Sequence, residues 1–235
     1  MAGCNELSDL GRFRDLLKEE HDSCGVVAVI EKNGNPTRDN LFDTIDALVK
    51  MEHRSGFING EGDGCGILTD IPRALWERKL TDAGFPPEKA NCERFVVGHL
   101  FIPKQGDTTA IRDLIRNKLK QGGFTILVEE MDRVNSHVLG KYGRADEPHF
   151  WQIALEADSV DELPARLFEL TVDIESSLPV QVASLSNRTA VYKVMGAASL
   201  LPQYFHDLGS PEYRTAATIG HNRYSTNTLS NFFRV

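Results

Sequence analysis

Two residue types in this chain stand where they could do chemistry: a cysteine near the start and an arginine near the end. Cys24 lies in His21-Asp22-Ser23-Cys24-Gly25-Val26-Val27-Ala28-Val29-Ile30, at the mouth of an apolar, β-branched run. Such a run suits a buried strand, so the thiol is expected at the edge of a sheet, rigidly held. A cysteine attacks as its thiolate, and with an ordinary pKa near ~8.5 it needs a base or a favourable neighbour at neutral pH. Taken alone, Cys24 reads more readily as a small buried hydrophobe. Arg223 lies in Gly220-His221-Asn222-Arg223-Tyr224-Ser225-Thr226-Asn227-Thr228. Its planar guanidinium suits a carboxylate gripped through two parallel hydrogen bonds, although an isolated arginine is more often a surface ion-pair partner. Between them lie His53-Arg54-Ser55-Gly56 and the glycine-dense Gly60-Glu61-Gly62-Asp63-Gly64-Cys65-Gly66. Such glycine density permits positive φ and close backbone approach. Its spacing fits neither GxGxxG nor GxxxxGK[ST], so a sharp turn feeding a second buried strand is expected rather than a phosphate cradle.

The bulk properties narrow the class. The chain has 235 residues, enough to bury a substantial core, with 41% hydrophobic and 26% charged residues, as in ordinary globular proteins. A formal net charge of -8 leaves no basic excess for nucleic acid. No apolar run approaches the roughly 20 residues that cross a bilayer. The N-terminus has no secretory apolar core, since Asn5 to Glu20 mixes Glu6, Asp9, Arg12, Arg14, Asp15 and Lys18 with single leucines. The cysteines, Cys4, Cys24, Cys65 and Cys92, show no CxxC spacing, so neither a metal site nor a disulfide framework is indicated. A cytoplasmic protein with no membrane or nucleic-acid partner is expected.

The elements that must position these residues alternate irregularly. Leu7, Leu10, Phe13, Leu16 and Leu17 recur at helical spacing in a leader of residues 1–23. Strands are expected over Val26–Ile30, Ile67–Ile71, Phe95–Ile102, Phe124–Val128 and Phe150–Leu155. Val180–Leu185 and Ala190–Val194 read as a hairpin joined through Ser186-Asn187-Arg188-Thr189. Helices are expected over Asn40–Lys50 (Leu41, Ile45, Leu48 and Val49 on one face), from Pro72 to near Leu80, over Ile111–Leu119, from Asp161 to Ile174 and over Leu200–Leu208. The stretch from Asp132 to Pro148 is polar, and Ala216–Ile219 leads into the Arg223 segment. Hairpin-like pairs among helices favour an α+β layered domain over a doubly wound parallel sheet. No internal repeat or long linker divides the chain.

Taken together, Cys24-Gly25-Val26, His53-Arg54-Ser55-Gly56, Gly62-Asp63-Gly64-Cys65-Gly66 and His221-Asn222-Arg223-Tyr224-Ser225-Thr226-Asn227-Thr228 resemble the class II glutamine amidotransferases. Ser184-Leu185-Ser186-Asn187-Arg188-Thr189-Ala190-Val191-Tyr192-Lys193 narrows the likeness to the glutaminase domain of the glutamate synthase large subunit. The resemblance covers His21 to Val235. It implies an N-terminal nucleophile hydrolase fold, a four-layer αββα sandwich with two antiparallel sheets, over residues 24–235. It also implies that Cys24 is a nucleophile with a free α-amino group, so that residues 1–23 form a propeptide cleaved after Ser23. An α-amino group near ~7.7–8.0 is partly neutral at physiological pH and can relay a proton from thiol to leaving group, which an amide nitrogen cannot. By the same resemblance Arg223 clamps the α-carboxylate of glutamine, Tyr224 and Thr226 shape the pocket, and Arg54 and Asp63 support the site. Asp63 does so by fixing the glycine turn. Ser55 stands where the family has glycine, and Cys65, where a small residue is usual, is assigned to the core.

The family's HNGE-like oxyanion motif follows the HNRYSTNT-like one, and the sequence stops at Val235 before it. The domain is therefore expected to be C-terminally incomplete. Losing one oxyanion donor costs about 10²–10³ in rate, so the chain by itself is expected to be poorly active. The implied function is release of ammonia from glutamine through a cysteinyl thioester, for a synthase partner that forms glutamate from 2-oxoglutarate. Flavin and an iron–sulfur cluster would belong to that partner, with no cofactor in this chain. Two other readings stand beside it: a remnant or regulatory module that binds glutamine or a subunit without turnover, and ammonia supply to another acceptor such as a sugar phosphate.

Overall fold

The computed structural model describes residues 24–58, 60–224 and 230–234. The expected leader helix, Cys4 and Thr226 lie outside them. Among the described residues ten strands run in chain order: β1 (Gly25–Ile30), β2 (Phe57–Ile58), β3 (Glu61–Gly62), β4 (Cys65–Asp70), β5 (Phe95–Ile102), β6 (Phe124–Met131), β7 (His149–Ala157), β8 (Gln181–Ser186), β9 (Thr189–Val194) and β10 (Ala217–Asn222). The α-helices are α1 (Arg38–Lys50), α2 (Arg73–Asp82), α3 (Thr108–Gln121), α4 (Lys141–Ala145), α5 (Leu163–Ser177), α6 (Leu201–Tyr204) and α7 (His206–Gly209). Two four-stranded antiparallel sheets form, β1-β10-β4-β9 and β6-β7-β5-β8, with β2 and β3 as a separate ribbon. This is the α+β architecture of an N-terminal nucleophile hydrolase sandwich. Among the described residues no helix is long and apolar enough to cross a membrane.

Helix α1 begins where Thr37, in extended conformation, accepts the Asn40 amide on its hydroxyl, a cap worth about 1 kcal/mol. Its Leu41, Ile45 and Leu48 enter a core that also holds Cys65, Ile67 and Tyr192 of the first sheet and Phe101 and Phe150 of the second. On the other side of the second sheet, α3 and α5 bury Ile115, Leu119, Leu167 and Ile174 against Val96, Leu100, Trp151 and Ile153. Helix α2 sends Trp76 and Leu80 against Phe95, Val97 and Leu127. Strand β5 is thus buried on both faces, which is why it reads as an apolar run broken by a single polar side chain, His99.

Four expectations need correction. Strand β1 is not fully buried: among the described residues it lies at the edge of its sheet with β10 as its one neighbour, and Val26 is 64% and Ile30 72% exposed. Val49 is 40% exposed and belongs to the outer side of α1, because it falls about 100° round the helix from Leu48. Val180–Leu185 and Ala190–Val194 are strands but not a paired hairpin. Strand β8 pairs with β5 and β9 with β4, so the turn at Ser186, whose hydroxyl accepts the Arg188 and Thr189 amides, carries the chain from one sheet to the other. The expected helix over Leu200–Leu208 splits into α6 and α7, since Phe205 turns extended and its ring is buried against Tyr204 and Phe150. The polar stretch after Asp132 also contains the short helix α4, which periodicity did not reveal.

A polar network sits where the sheets meet. Buried Asp207 receives Lys79 Nζ at 2.9 Å, Gln152 Nε2 at 2.7 Å and the Tyr192 hydroxyl at 3.1 Å, and Lys79 also reaches Glu130 at 2.5 Å. Gln152 is 3.2 Å from His99 Nε2, and the opposite ring nitrogen, Nδ1, donates to the Val191 carbonyl at 2.8 Å. That pairing fits a neutral imidazole, and burial pushes the His99 pKa down to about 4, with Lys79 adding to the fall and Asp207 opposing it. Unfolding releases His99 to an ordinary value near 6.5. Below that value the unfolded chain binds a proton that the folded chain refuses, so stability falls as pH drops from about 6.5 towards 4. This group alone should cost about 2 kcal/mol between about pH 7 and pH 5. Urea denaturation of the wild type and of His99→Gln at both pH values checks it. The variant should lose less stability on acidification, and equal slopes would remove His99 from the account.

Candidate active site

The four short stretches singled out in the sequence converge through backbone hydrogen bonds. Antiparallel pairing sets Gly25 opposite Asn222, which brings Cys24 alongside Arg223. The Arg223 amide donates to the Gly64 carbonyl at 2.9 Å, and the Arg223 carbonyl accepts the Gly56 amide at 3.0 Å. The Asp63 amide donates to the Gly56 carbonyl at 2.8 Å, closing the ring. Cys24 is exposed, and its Sγ accepts the Tyr224 amide at 3.3 Å. The same sulfur lies 3.9 Å from the Tyr224 carbonyl, so both main-chain polar groups of Tyr224 hold the Cys24 side chain.

Each segment is fixed for a local reason. Gly64 has φ +137°, a region that side-chain-bearing residues avoid. At Gly62 a Cβ would stand 2.8 Å from the backbone of Gly196 and Ala197, so only glycine lets this turn pass. Glu61 receives the Tyr142 and Gly143 amides on its carboxylate at 3.1 and 3.2 Å, tying the turn to α4. Asn222 is buried and donates its side-chain amide to the Leu48 carbonyl at 2.7 Å, so the last turn of α1 is fastened to the strand that carries Arg223. Sequence reading assigned Asn222 no role of its own. Its signal was the alternation Thr218, Gly220, Asn222, which puts all three on the face that meets α1.

Of the residues expected at the site, Cys24, Arg54, Asp63, Arg223 and Tyr224 come together. A Cβ on Gly25 would lie 3.3 Å from the Arg54 Cβ, which places that exposed arginine beside the residue that follows Cys24. Asp63 is buried in the glycine turn. The half-buried Arg223 donates through Nη1 to the Ser230 hydroxyl at 3.0 Å. Ser230 was missed, since nothing in its local sequence signals it. Cys65 is in the core, as expected, and burial pushes its thiol pKa up.

Two basic groups near Arg223 are shifted downward. His221 is held below its usual pKa by burial and by Arg223. Lys193, mostly buried, is pushed down to about 8, chiefly by burial and further by Arg223, against the pull of Glu175.

Residues 24–234 match the family model for class-II glutamine amidotransferases, with the match opening on Cys24 itself. The chain belongs to the class II glutamine amidotransferases. It is 33% identical over 221 residues to the ferredoxin-dependent glutamate synthase 2 of Synechocystis, an alignment that covers 91% of this chain and 14% of that protein. It is 29% identical over 226 residues to the ferredoxin-dependent glutamate synthase of Pyropia yezoensis, with the same coverage. Against the glutamate synthase [NADPH] large chain of Bacillus subtilis it is 27% identical over 227 residues, covering 92% of this chain and 15% of that protein. The chain thus spans about one-seventh of the length of these relatives.

The geometry of this amidotransferase domain sorts its thiols. Cys24 and Cys92 are exposed, whereas Cys65 is buried with its thiolate disfavoured. Brief alkylation of the folded protein followed by peptide mass mapping should label Cys24 and Cys92 and leave Cys65 untouched until denaturant is added. Labelling of Cys65 at the rate of Cys24 would contradict the packing described.

Proposed function

We propose that the domain hydrolyses glutamine at Cys24 and delivers the ammonia to a synthase partner that forms glutamate from 2-oxoglutarate. The observation that carries this reading is an exposed thiol, with an amide N–H directed at its sulfur, beside an arginine suited to a carboxylate. In the proposed reaction the Cys24 thiolate attacks the side-chain amide carbon of glutamine. The α-amino group of Cys24, freed by removal of residues 1–23, takes the thiol proton and returns it to the departing nitrogen. Ammonia leaves, and water then cleaves the γ-glutamyl thioester to glutamate and restores the thiol. Arg223 holds the substrate α-carboxylate through paired hydrogen bonds, which turns the amide towards sulfur. Tyr224 and Thr226 shape the pocket, Arg54 lies beside the nucleophile, and Asp63 keeps the glycine turn in place.

No cofactor takes part in this half-reaction as we read it. Flavin and an iron–sulfur cluster belong to the synthase partner, a reading supported by similarity to glutamate synthases whose chains are far longer than this one. That similarity also favours glutamate formation over ammonia supply to a sugar phosphate or other acceptor.

Intact mass and glutaminase assay of the natural protein test the proposal together. A mature chain beginning at Cys24 should release ammonia from glutamine. Cys24→Ala should abolish release, and Cys24→Ser should lower it by at least about 10³. Arg223→Ala should raise KM by about 100-fold, a typical loss for a charge-assisted clamp. A chain that keeps residues 1–23 and shows no turnover would overturn the reading in favour of a binding module without catalysis.

A further inference from the structure

Resting on the reading of Arg223 as the substrate clamp, we infer that Ser230 is a positioning residue: it holds the Arg223 guanidinium in the orientation that receives the glutamine α-carboxylate. The Ser230 hydroxyl accepts from Arg223 Nη1 at 3.0 Å. An arginine side chain has four rotatable bonds, and each hydrogen bond from its guanidinium to a fixed acceptor narrows the rotamers it samples and sharpens the direction of its fork.

Ser230 can fix the guanidinium because its own segment is anchored at three places. Phe232 is fully buried, its ring 6.0 Å from that of Phe101 and 6.1 Å from that of Tyr204. The Phe232 amide donates to Asp146 Oδ2 at 2.7 Å, just after α4. The Phe233 carbonyl accepts from Gln181 Nε2 at 2.5 Å and from Lys193 Nζ at 3.3 Å, and Gln181 Oε1 in turn accepts from Lys193 at 2.7 Å. Residues 230–234 thus form a strap whose anchors come from the second sheet (Gln181), the first sheet (Lys193) and the shared aromatic core (Phe232). A hydroxyl on a strap so fastened is a fixed reference point for the Arg223 guanidinium. Glu61 accepts from the first turn of α4, and Asp146, the residue that ends α4, accepts from Phe232, so the strap and the glycine turn are referred to the same short helix.

The test separates clamping from thiol reactivity in the natural full-length protein. Inactivation of Cys24 is timed with 6-diazo-5-oxo-L-norleucine, which carries the glutamine α-carboxylate, and with iodoacetamide, which does not. Ser230→Ala should slow inactivation by the first reagent about five- to tenfold and leave the second unchanged, and Ser230→Thr, which keeps the hydroxyl, should restore the wild-type ratio. In glutaminase assays the alanine variant should raise KM with little change in kcat. If Arg223→Ala alters the reagent ratio but Ser230→Ala does not, Ser230 has no positioning role and the clamp reading stands. If Arg223→Ala leaves the ratio unchanged, the clamp reading itself fails and the role of Ser230 falls with it. If Ser230→Ala slows both reagents equally, the serine is a structural support of the nucleophile and the inference is overturned.

Discussion

The site depends on the main chain of Arg223, whose amide and carbonyl bond outward to Gly64 and Gly56 while its neighbours pair with β1 and β4. Such bonds add only about 1 kcal/mol each over water, but leaving a buried partner unmade costs about 1–3 kcal/mol. The arrangement therefore has little freedom to relax piecemeal. Moving the glycine turn strands the Arg223 amide, and moving the Gly56 segment strands its carbonyl. Either shift also displaces Tyr224, whose amide and carbonyl both contact the Cys24 sulfur. The setting of Cys24 is thus fixed by backbone rather than by side chains, which explains why glycine rather than a reactive residue dominates this part of the sequence.

The placement of β1 at a sheet edge is the second constraint. An exposed thiol at the head of such a strand is held by the ladder that follows it. Among the described residues the one strand neighbour of β1 is β10, which gives it a complete antiparallel ladder from Gly25↔Asn222 to Ile30↔Ala217. Val26 and Ile30 are left exposed, as is Cys24 just before them. Behind it, the Asn222 side chain fastens α1, so the pairing is backed by a packed helix and does not flex as a free edge would.

Much of this was legible in the sequence, and the misses share a cause. Periodicity located α1, α3, α5 and most strands because each buries one face locally and repeats at 3.6 or 2 residues. The motifs were legible because each is short and contiguous. What stayed hidden was pairing at long range. Nothing between Val180 and Val194 tells that β8 joins β5 and β9 joins β4, since a tight polar turn looks the same whether its strands pair or part. Phe205 breaks a helical pattern because its ring finds Phe150 and Tyr192, partners that lie far along the chain. Ser230 was invisible for the same reason, its role depending wholly on where the guanidinium of Arg223 arrives. Full burial of β1 was expected from composition, and topology decided otherwise.

The charge pattern follows from the same geometry. Strand register sets His221 beside Gly66 and Gly66 beside Lys193, so these residues share one row of the first sheet, with Arg223 beyond its end. Burial lowers the proton affinity of both His221 and Lys193, and Arg223 adds to each effect, while Glu175 opposes it at Lys193. Lys193 Nζ also donates to the Gln181 amide oxygen and to the Phe233 carbonyl, so the same ammonium orients a strand of the second sheet and the 230–234 segment against the first sheet.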